Sequence, residues 1–370
     1  MKLPALLKDE WPLAVVLITA ALFLVYGAGW LADLSRGAWF AFMSLWLLAV
    51  MFVSAFAVVR HAEALAERLG EPYGTLVLTL AITGIEVIMI AAIMYAGKGN
   101  STLARDAMMA VVMIVLNGML GLTLIVGGLR YREQTYNLQG ANSFLAVILP
   151  LAVLGLIQPN FTVSTPGPVY SPVQATFLSV MSVVLYAVFL ALQTFRHREY
   201  FLSPNATVES EDQHSHAHAT GSTAHHALML FLYILPFVVL SKQVAVPINH
   251  AIRVLHAPAE LAGLLVSVLI LSPESLTAVR AALANQLQRS VNVLLGSVLA
   301  SIGLTIPLVL AVGFATGQQI VLGLGTTDVT LLVLTLALSM VTFAAQRTNM
   351  LLGTVHLLVF FAYLLFIFER

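Results

Sequence analysis

Eleven long apolar runs constrain the fold of this sequence more than any other feature. A helix that crosses the hydrocarbon core of a bilayer needs ~20 mostly apolar residues, and these runs are continuous, unlike the alternating strands of a barrel. The chain is therefore predicted to be an all-α polytopic membrane protein. The predicted spans lie near 12–32, 38–59, 73–97, 107–129, 142–158, 173–195, 227–247, 259–281, 290–315, 328–345 and 350–368.

The composition excludes several other classes of protein. Of 370 residues, 60% are hydrophobic and 9% are charged, whereas soluble domains have roughly 45–50% apolar and 25% charged residues. So few charges cannot cover a water-exposed surface, which excludes a soluble globular enzyme and a disordered chain. Lys+Arg and Asp+Glu both number 17, so no net charge attracts nucleic acid. The absence of cysteine excludes thiolate metal sites.

Basic residues in the loops predict the orientation of the chain. If the N-terminus is cytoplasmic, 11 of the 17 Lys and Arg residues lie inside and 6 outside, as the positive-inside rule requires. The polar stretch 196–226 then lies in the cytoplasm. We expect a solvated linker there, with transition-metal binding or pH sensing as the alternative. Its clustered histidines are His214, His216, His218, His225 and His226.

The third and eighth spans resemble each other. Each carries a glutamate in its interior, Glu86 or Glu274, close to a helix-weakening residue, Gly84 or Pro273. These spans are five apart, and an odd repeat inverts the second copy relative to the first. The sequence thus predicts one extra N-terminal helix followed by two inverted five-helix repeats, an arrangement typical of secondary transporters. The corresponding segments are 1–35 for the first helix, 36–195 for the first repeat, 196–226 for the loop and 227–370 for the second repeat.

The two glutamates suggest a mechanism. Other charged residues are remote from Glu86, because Glu71 and Lys98 are fifteen and twelve positions away in the sequence. An ionised carboxylate at the centre of a bilayer costs at least ~2.5 kcal/mol, and burial or a second carboxylate favours protonation. Two protons, one divalent cation, or one monovalent cation plus one proton would each neutralise the pair, and the empty, doubly ionised site would be costly to occlude. Obligatory exchange of a cation for protons follows. The alternative is that each acid is structural and pairs with a neighbouring helix.

Further polar residues in the spans could complete an oxygen shell, which hard cations prefer. Backbone carbonyls freed at Gly84 and Pro273 could add to it. In the last span, His356 is either a core histidine bonded to another helix or part of a proton path. The hydroxyl and amide candidates are Thr83, Ser272, Ser275, Ser297, Ser301 and Asn117.

Several short motifs surround these positions and resemble the ChaA-type proton antiporters of bacterial inner membranes, within the cation/calcium exchanger superfamily. The resemblance implies the fold predicted above, with Glu86 and Glu274 binding the cation and taking the proton. It implies transport of Na⁺, K⁺ or Ca²⁺ against H⁺, with no cofactor. The motifs are Val59-Arg60-His61-Ala62, Arg68-Leu69-Gly70-Glu71-Pro72-Tyr73-Gly74, Leu271-Ser272-Pro273-Glu274, Asn285-Gln286-Leu287-Gln288-Arg289, Gly296-Ser297-Val298-Leu299-Ala300 and Arg347-Thr348-Asn349 with His356.

The sequence departs from typical calcium/proton exchangers at one feature. Those proteins carry Gly-Asn shortly before each glutamate, where this sequence reads Ile82-Thr83 and Ile270-Leu271. The missing amides remove oxygen ligands, so the resemblance does not imply strict selectivity for calcium.

Two other classes of membrane protein compete with a secondary active antiporter. An intramembrane enzyme would need a nucleophile elbow or a metal pair, and neither Gly-x-Ser-x-Gly nor His-Glu-x-x-His occurs in the sequence. A cation channel would need a continuous pore, usually around a symmetry axis. Paired acids in inverted halves favour exchange over conduction.

Overall fold

The structure is a computed structural model that describes residues 10–70, 73–96, 101–204, 222–254 and 256–369. Within these residues the chain forms eleven main helices, each at a position that the hydropathy pattern predicts. In chain order they are α1 (Trp11–Trp30), α2 (Gly37–Leu69), α3 (Tyr73–Ala96), α4 (Leu103–Met113, a π-helical segment Ile114–Met119, and Leu120–Tyr131), α5 (Leu138–Ala152), α6 (Pro172–Ala191), α7 (Thr223–Val254), α8 (Glu260–Leu283), α9 (Leu287–Thr316), α10 (Thr326–Thr342) and α11 (Met350–Phe368).

Short irregular elements extend or connect the main helices. A two-stranded antiparallel ladder pairs β1 (Gln134–Thr135) with β2 (Arg347–Thr348), and Gln134 lies opposite Thr348. The other short elements are helical. They are the π-helical segments Val153–Ile157 after α5 and Leu192–Arg196 after α6, and the 3₁₀ turns Gln158–Phe161 and Arg198–Phe201.

The predicted membrane fold is confirmed. In the described part of the chain, nine helices are long and apolar enough to cross a membrane. Two shorter apolar helices, Val77–Ala92 and Thr326–Thr342, occupy the two remaining predicted spans. Together they match the eleven spans that the sequence predicts.

Two helices extend beyond the apolar runs that predicted them. Helix α2 continues to Leu69, although its span was expected to end near 59, and α7 begins at Thr223 instead of 227. Hydropathy detects only the part of a helix that lies in lipid, so polar extensions escape it. As a result, the expectation of a linker is wrong for His225 and His226, which lie in the first turn of α7. The remaining clustered histidines, His214, His216 and His218, lie outside the described residues.

Local sequence signals explain several helix ends. Helix α6 starts with a capping box, in which the Ser171 hydroxyl accepts from the Gln174 N–H at 3.3 Å and the Gln174 side chain accepts from the Ser171 N–H at 3.0 Å. Asn349 caps the start of helix α11, and its side-chain oxygen accepts from the Leu352 N–H at 3.2 Å. Gly317 follows the last residue of helix α9 and terminates it with a left-handed φ of 68°.

The chain divides into two compact units. The first comprises Met1–Asn100 and Ala219–Ile270, and the second comprises Ser101–His218 and Leu271–Arg370. Each unit thus contains segments from both halves of the sequence. The predicted division into the repeats 36–195 and 227–370 stays a prediction.

In the first unit, α2 packs along α7 and α3, and α1 packs against α7. Large side chains such as Leu47, Met51, Tyr233 and Phe237 are fully buried there. The Ser54 hydroxyl donates to the Tyr233 carbonyl at 3.3 Å and so links α2 to α7.

In the second unit, α9 packs against α4, α5 and α6, and α11 packs along α4. Helices α4 and α11 approach each other closely at two glycines. A Cβ at Gly121 would lie 2.8 Å from the Gly353 carbonyl oxygen, and a Cβ at Gly353 would lie 2.7 Å from the Gly121 oxygen. Small residues permit such backbone contact between membrane helices.

Candidate functional site

Glu86 lies in the interior of α3, in the first unit. Its side chain is buried, with 3% of its surface exposed, and Thr83 is equally buried. The two residues are three positions apart on one helix, so their side chains share a face. The structure therefore presents a carboxylate and a hydroxyl side by side in an apolar helix.

The expectation that Gly84 frees a backbone carbonyl is wrong. Helix α3 is continuous from Tyr73 to Ala96, and a Cβ at Gly84 would meet no atom within 4 Å. A glycine weakens a helix by about 1 kcal/mol relative to alanine. The tertiary packing of α3 offsets this cost, so the helix continues through Gly84. No backbone carbonyl is freed by Gly84.

Glu274 lies in α8, in the second unit, and is half-buried. The Ser297 hydroxyl of α9 donates a hydrogen bond to Glu274 Oε2 at 2.5 Å. A hydrogen bond to an ionised acceptor is shorter and stronger than one between neutral groups. The structure thus brings together two of the predicted site residues from different helices.

Other hydroxyl candidates lie on α8 and α9, the helices that carry Glu274 and Ser297. Ser301 is buried one turn beyond Ser297 on α9, so both serines share a face of that helix. Ser272 is half-buried on α8. The Ser275 hydroxyl donates a hydrogen bond to the Leu271 carbonyl of its own helix at 2.7 Å. Its proton is therefore bonded to the backbone of α8 and not to Glu274.

Helix α8 also passes through Pro273 without a break. Proline has no N–H, so the carbonyl of Leu269 lacks the backbone hydrogen bond that a helix would otherwise give it. Of the two residues expected to free a carbonyl, only Pro273 does so.

The turn between α8 and α9 holds these two helices in register. Asn285 adopts a left-handed φ of 60° there, a conformation that asparagine tolerates better than most residues. Gln134 Nε2 donates to Asn285 Oδ1 at 3.0 Å and to the Ala282 carbonyl at 2.9 Å. Gln288 Oε1 accepts from the Asn137 N–H at 2.6 Å. The motif Asn285–Arg289 therefore positions the helices that carry Glu274 and Ser297.

Asn117 and His356 belong to a buried polar network of the second unit. Asn117 lies on the π-helical segment of α4, and its Nδ2 donates to Thr335 Oγ1 of α10 at 2.8 Å. His356 Nδ1 lies 3.1 Å from Asn117 Oδ1, and its Nε2 lies 2.8 Å from Thr342 Oγ1. With Nδ1 as the donor and Nε2 as the acceptor, every polar group of the two side chains is satisfied. This geometry favours the core histidine over the proton path.

Sequence analysis missed Thr335 and Thr342, which complete this network. A signal was present, because Thr335, Ser339 and Thr342 follow one another at helical spacing in an apolar helix and all three are fully buried. A row of hydroxyls on one helix face indicates a polar contact with another helix.

Comparison with known proteins then assigns the chain to a family. The family model described as sodium/calcium exchanger protein matches residues 39–195 and 225–369. The chain belongs to this family. The two matched segments of this chain are separated by a gap, and that gap coincides with the polar stretch 196–226.

Individual relatives of this chain agree with the family assignment. The chain is 38% identical over 316 residues to the sodium-potassium/proton antiporter ChaA of Escherichia coli. The aligned region covers 85% of this chain and 86% of that protein. Among solved structures it is similar to native YfkE, with a TM-score of 0.72, 16% identity, and coverage of 97% of this chain and 100% of that chain. The H⁺/Ca²⁺ exchanger CAX has a TM-score of 0.68 at 15% identity, with coverage of 97% and 88%. At these identities the structural likeness shows the fold, and it confirms the predicted fold class.

Proposed function

We propose that this chain is a secondary active antiporter that exports a cation in exchange for H⁺ by alternating access. The observation that carries the proposal is the burial of the Glu86 carboxyl group in the interior of an apolar helix. The antiporter function named for the ChaA relative and the Ca²⁺/H⁺ antiport named for YfkE support it. A chain of this family is a transporter, and we assign no enzymatic reaction or cofactor to it.

The mechanism follows from the cost of buried charge. An ionised carboxylate in the membrane interior costs at least ~2.5 kcal/mol, and binding a proton or a cation removes that cost. We infer that Glu86 and Glu274 must both be neutralised before the protein changes the side to which it opens. Loading with two protons, with one divalent cation, or with one monovalent cation plus one proton then permits the change, whereas the empty state resists it. Strict exchange results from electrostatics.

We assign two kinds of role to the polar residues. Glu86 and Glu274 bind the cation and the proton in turn, and the hydroxyls of Thr83, Ser297, Ser301 and Ser272 supply neutral oxygen ligands. Asn117 and His356 act as positioning residues, because their polar groups are committed to α10 and to each other. The carbonyl of Leu269, freed by Pro273, is a further candidate ligand.

The ligands favour Na⁺ and K⁺ as the first cations to test. Ca²⁺ takes 6–8 oxygen ligands, and the amides that typically precede the glutamates in calcium/proton exchangers are replaced here by Ile82-Thr83 and Ile270-Leu271. The named ions of the ChaA relative are sodium and potassium. Ca²⁺ is the second candidate.

We place the protein in the bacterial inner membrane with its N-terminus in the cytoplasm. The support is the excess of basic residues on one side of the predicted topology, 11 against 6 among the 17 present.

The proposal is tested in proteoliposomes that contain the purified protein and a pH-sensitive dye. After a pH gradient is imposed, Na⁺, K⁺ or Ca²⁺ is added at several pH values. We expect at least one of these ions to dissipate the gradient in the absence of a membrane potential. A channel would instead collapse an imposed membrane potential without moving protons, and that result would overturn antiport.

A further inference from the structure

Three histidines lie together in the first unit, on helices that do not carry the glutamates. His61 belongs to α2, and His225 and His226 belong to the first turn of α7. Each offers a ring nitrogen, and these three nitrogens all lie within 4.8 Å of one another. His61 and His226 are buried, with 2% and 7% of their surface exposed, and His225 is half-buried.

A carboxylate orients one of these imidazoles. Glu10 Oε1 lies 3.3 Å from His61 Nε2. Glu10 itself is held by Arg60 Nη2, which is 2.9 Å from both carboxylate oxygens, and by the Tyr233 hydroxyl at 3.0 Å. Arg60 Nη2 also lies 3.2 Å from His61 Nε2. Glu10 and Arg60 thus hold the Nε2 side of the ring, and Nδ1 is the nitrogen that faces the other histidines.

This Nδ1 faces a second imidazole. His61 Nδ1 lies 3.0 Å from His226 Nδ1. Zinc binds histidine nitrogens at 2.0–2.1 Å in tetrahedral sites, which puts two ligating nitrogens about 3.3 Å apart. The observed separation needs only a small adjustment to accept a metal ion between the rings.

We propose that His61, His225 and His226 form a binding site for a divalent transition-metal ion of the Zn²⁺ or Co²⁺ class. Three imidazoles suit such ions, whereas Ca²⁺ and Mg²⁺ prefer oxygen ligands. Glu10, which lies 3.3 Å from His61 Nε2, acts as the outer partner that orients the His61 ring, an arrangement common around histidine-bound metals. The fourth position is left for water or another ligand.

The site would connect three separate parts of the first unit. Glu10 immediately precedes α1, His61 lies in α2, and the other two histidines open α7. A metal ion bound only by the folded arrangement stabilises it by mass action. Its occupancy would hold α2 and α7 together at the end where α7 begins.

The test uses Co²⁺, whose tetrahedral complexes absorb visible light. The full chain is purified in detergent with an affinity tag that contains no histidine. A background variant carries His214→Gln, His216→Gln and His218→Gln, so that these histidines do not contribute. Na⁺ and Ca²⁺ in excess compete for the oxygen ligands of the transport site. We expect a visible band that saturates at one Co²⁺ per chain.

Single substitutions in this background locate the ion. His225→Gln is the first choice, because this half-buried side chain can be replaced with little effect on packing. We expect at least tenfold weaker Co²⁺ binding in His225→Gln, and binding weakened by about 10–100-fold in Glu10→Gln. The matched control is His250→Gln, since His250 contacts the Phe40 ring elsewhere in the same unit, and it should bind Co²⁺ normally.

The outcomes separate this site from the transport site. Glu86→Gln should leave the visible Co²⁺ band unchanged. Failure of the antiport proposal would therefore not affect the proposal of a metal site at the three histidines. The absence of a band in the background variant, or a band of full affinity in His225→Gln, would overturn the proposal. Thermal unfolding without metal shows that each variant is folded, and added Zn²⁺ should raise the unfolding temperature only where His225 is present.

Discussion

At the scale of single residues, the contact between Ser297 and Glu274 is the most direct link between the sequence motifs and the proposed transport. Both residues were predicted from their types and positions, and the structure joins them at 2.5 Å across two helices. The hydroxyl donates to the carboxylate, so it stabilises the ionised form that binds a cation.

We therefore expect Ser297→Ala to raise the cation concentration for half-maximal exchange by about tenfold or more. A hydrogen bond to a charged group contributes about 1.5–3 kcal/mol, and about 1.4 kcal/mol corresponds to a factor of ten. The matched control is Ser275→Ala, because the Ser275 hydroxyl donates to the backbone of its own helix. Equal half-saturation in the two variants would remove Ser297 from the site.

Thr83 allows the same question to be asked of α3. Its hydroxyl shares a helix face with Glu86, so Thr83→Ala should change the cation affinity of exchange more than the maximal rate. Initial rates over a series of cation concentrations measure both quantities. An unchanged affinity would exclude Thr83 as a ligand.

At the scale of helices, the polar network around His356 joins α4, α10 and α11. Replacing this histidine removes hydrogen bonds to Asn117 and Thr342, both of which are fully buried. A buried polar group left without its partner costs about 1–3 kcal/mol.

His356→Leu should therefore lower the thermal stability of the protein in detergent while the shape of its pH–exchange profile stays the same. Leucine keeps much of the volume but provides no hydrogen bond. A stable variant whose pH profile changes shape would instead place His356 in the proton path.

The contact between α4 and α11 depends on glycine. Because a Cβ at Gly121 would lie 2.8 Å from a backbone oxygen of α11, Gly121→Ala should destabilise the protein by about 1–3 kcal/mol through overpacking. Gly84→Ala is the control, because its Cβ meets open space, and alanine favours the helix. Thermal unfolding of both variants checks the difference, and equal unfolding temperatures would contradict the packing argument.

At the scale of the whole molecule, the positions of the spans were predictable and several details were not. Each span is a long apolar run, so hydropathy located all eleven, but it placed the end of α2 near 59 and not at Leu69. The π-helical segment around Asn117 has no distinctive local sequence. Asn117, a partner of His356, and His226, a partner of His61, lie 239 and 165 positions away in the chain, so only the tertiary structure reveals them.

The proposed exchange depends on both glutamates, each of which the fold places within a helix long enough or apolar enough to lie in the membrane. Neutralising substitutions test this dependence with little change in size, because glutamine has nearly the volume of glutamate. Glu133→Gln is the matched control, since the Glu133 side chain is 56% exposed and forms a surface ion pair with Arg347.

The decisive measurement is cation-dependent proton exchange in proteoliposomes that contain Glu86→Gln, Glu274→Gln or Glu133→Gln at equal protein content. We predict that exchange is abolished in the first two variants and stays at the level of the unsubstituted protein in the third, with all three proteins folded. Exchange retained in either Glu86→Gln or Glu274→Gln would contradict the account and leave that acid a structural role.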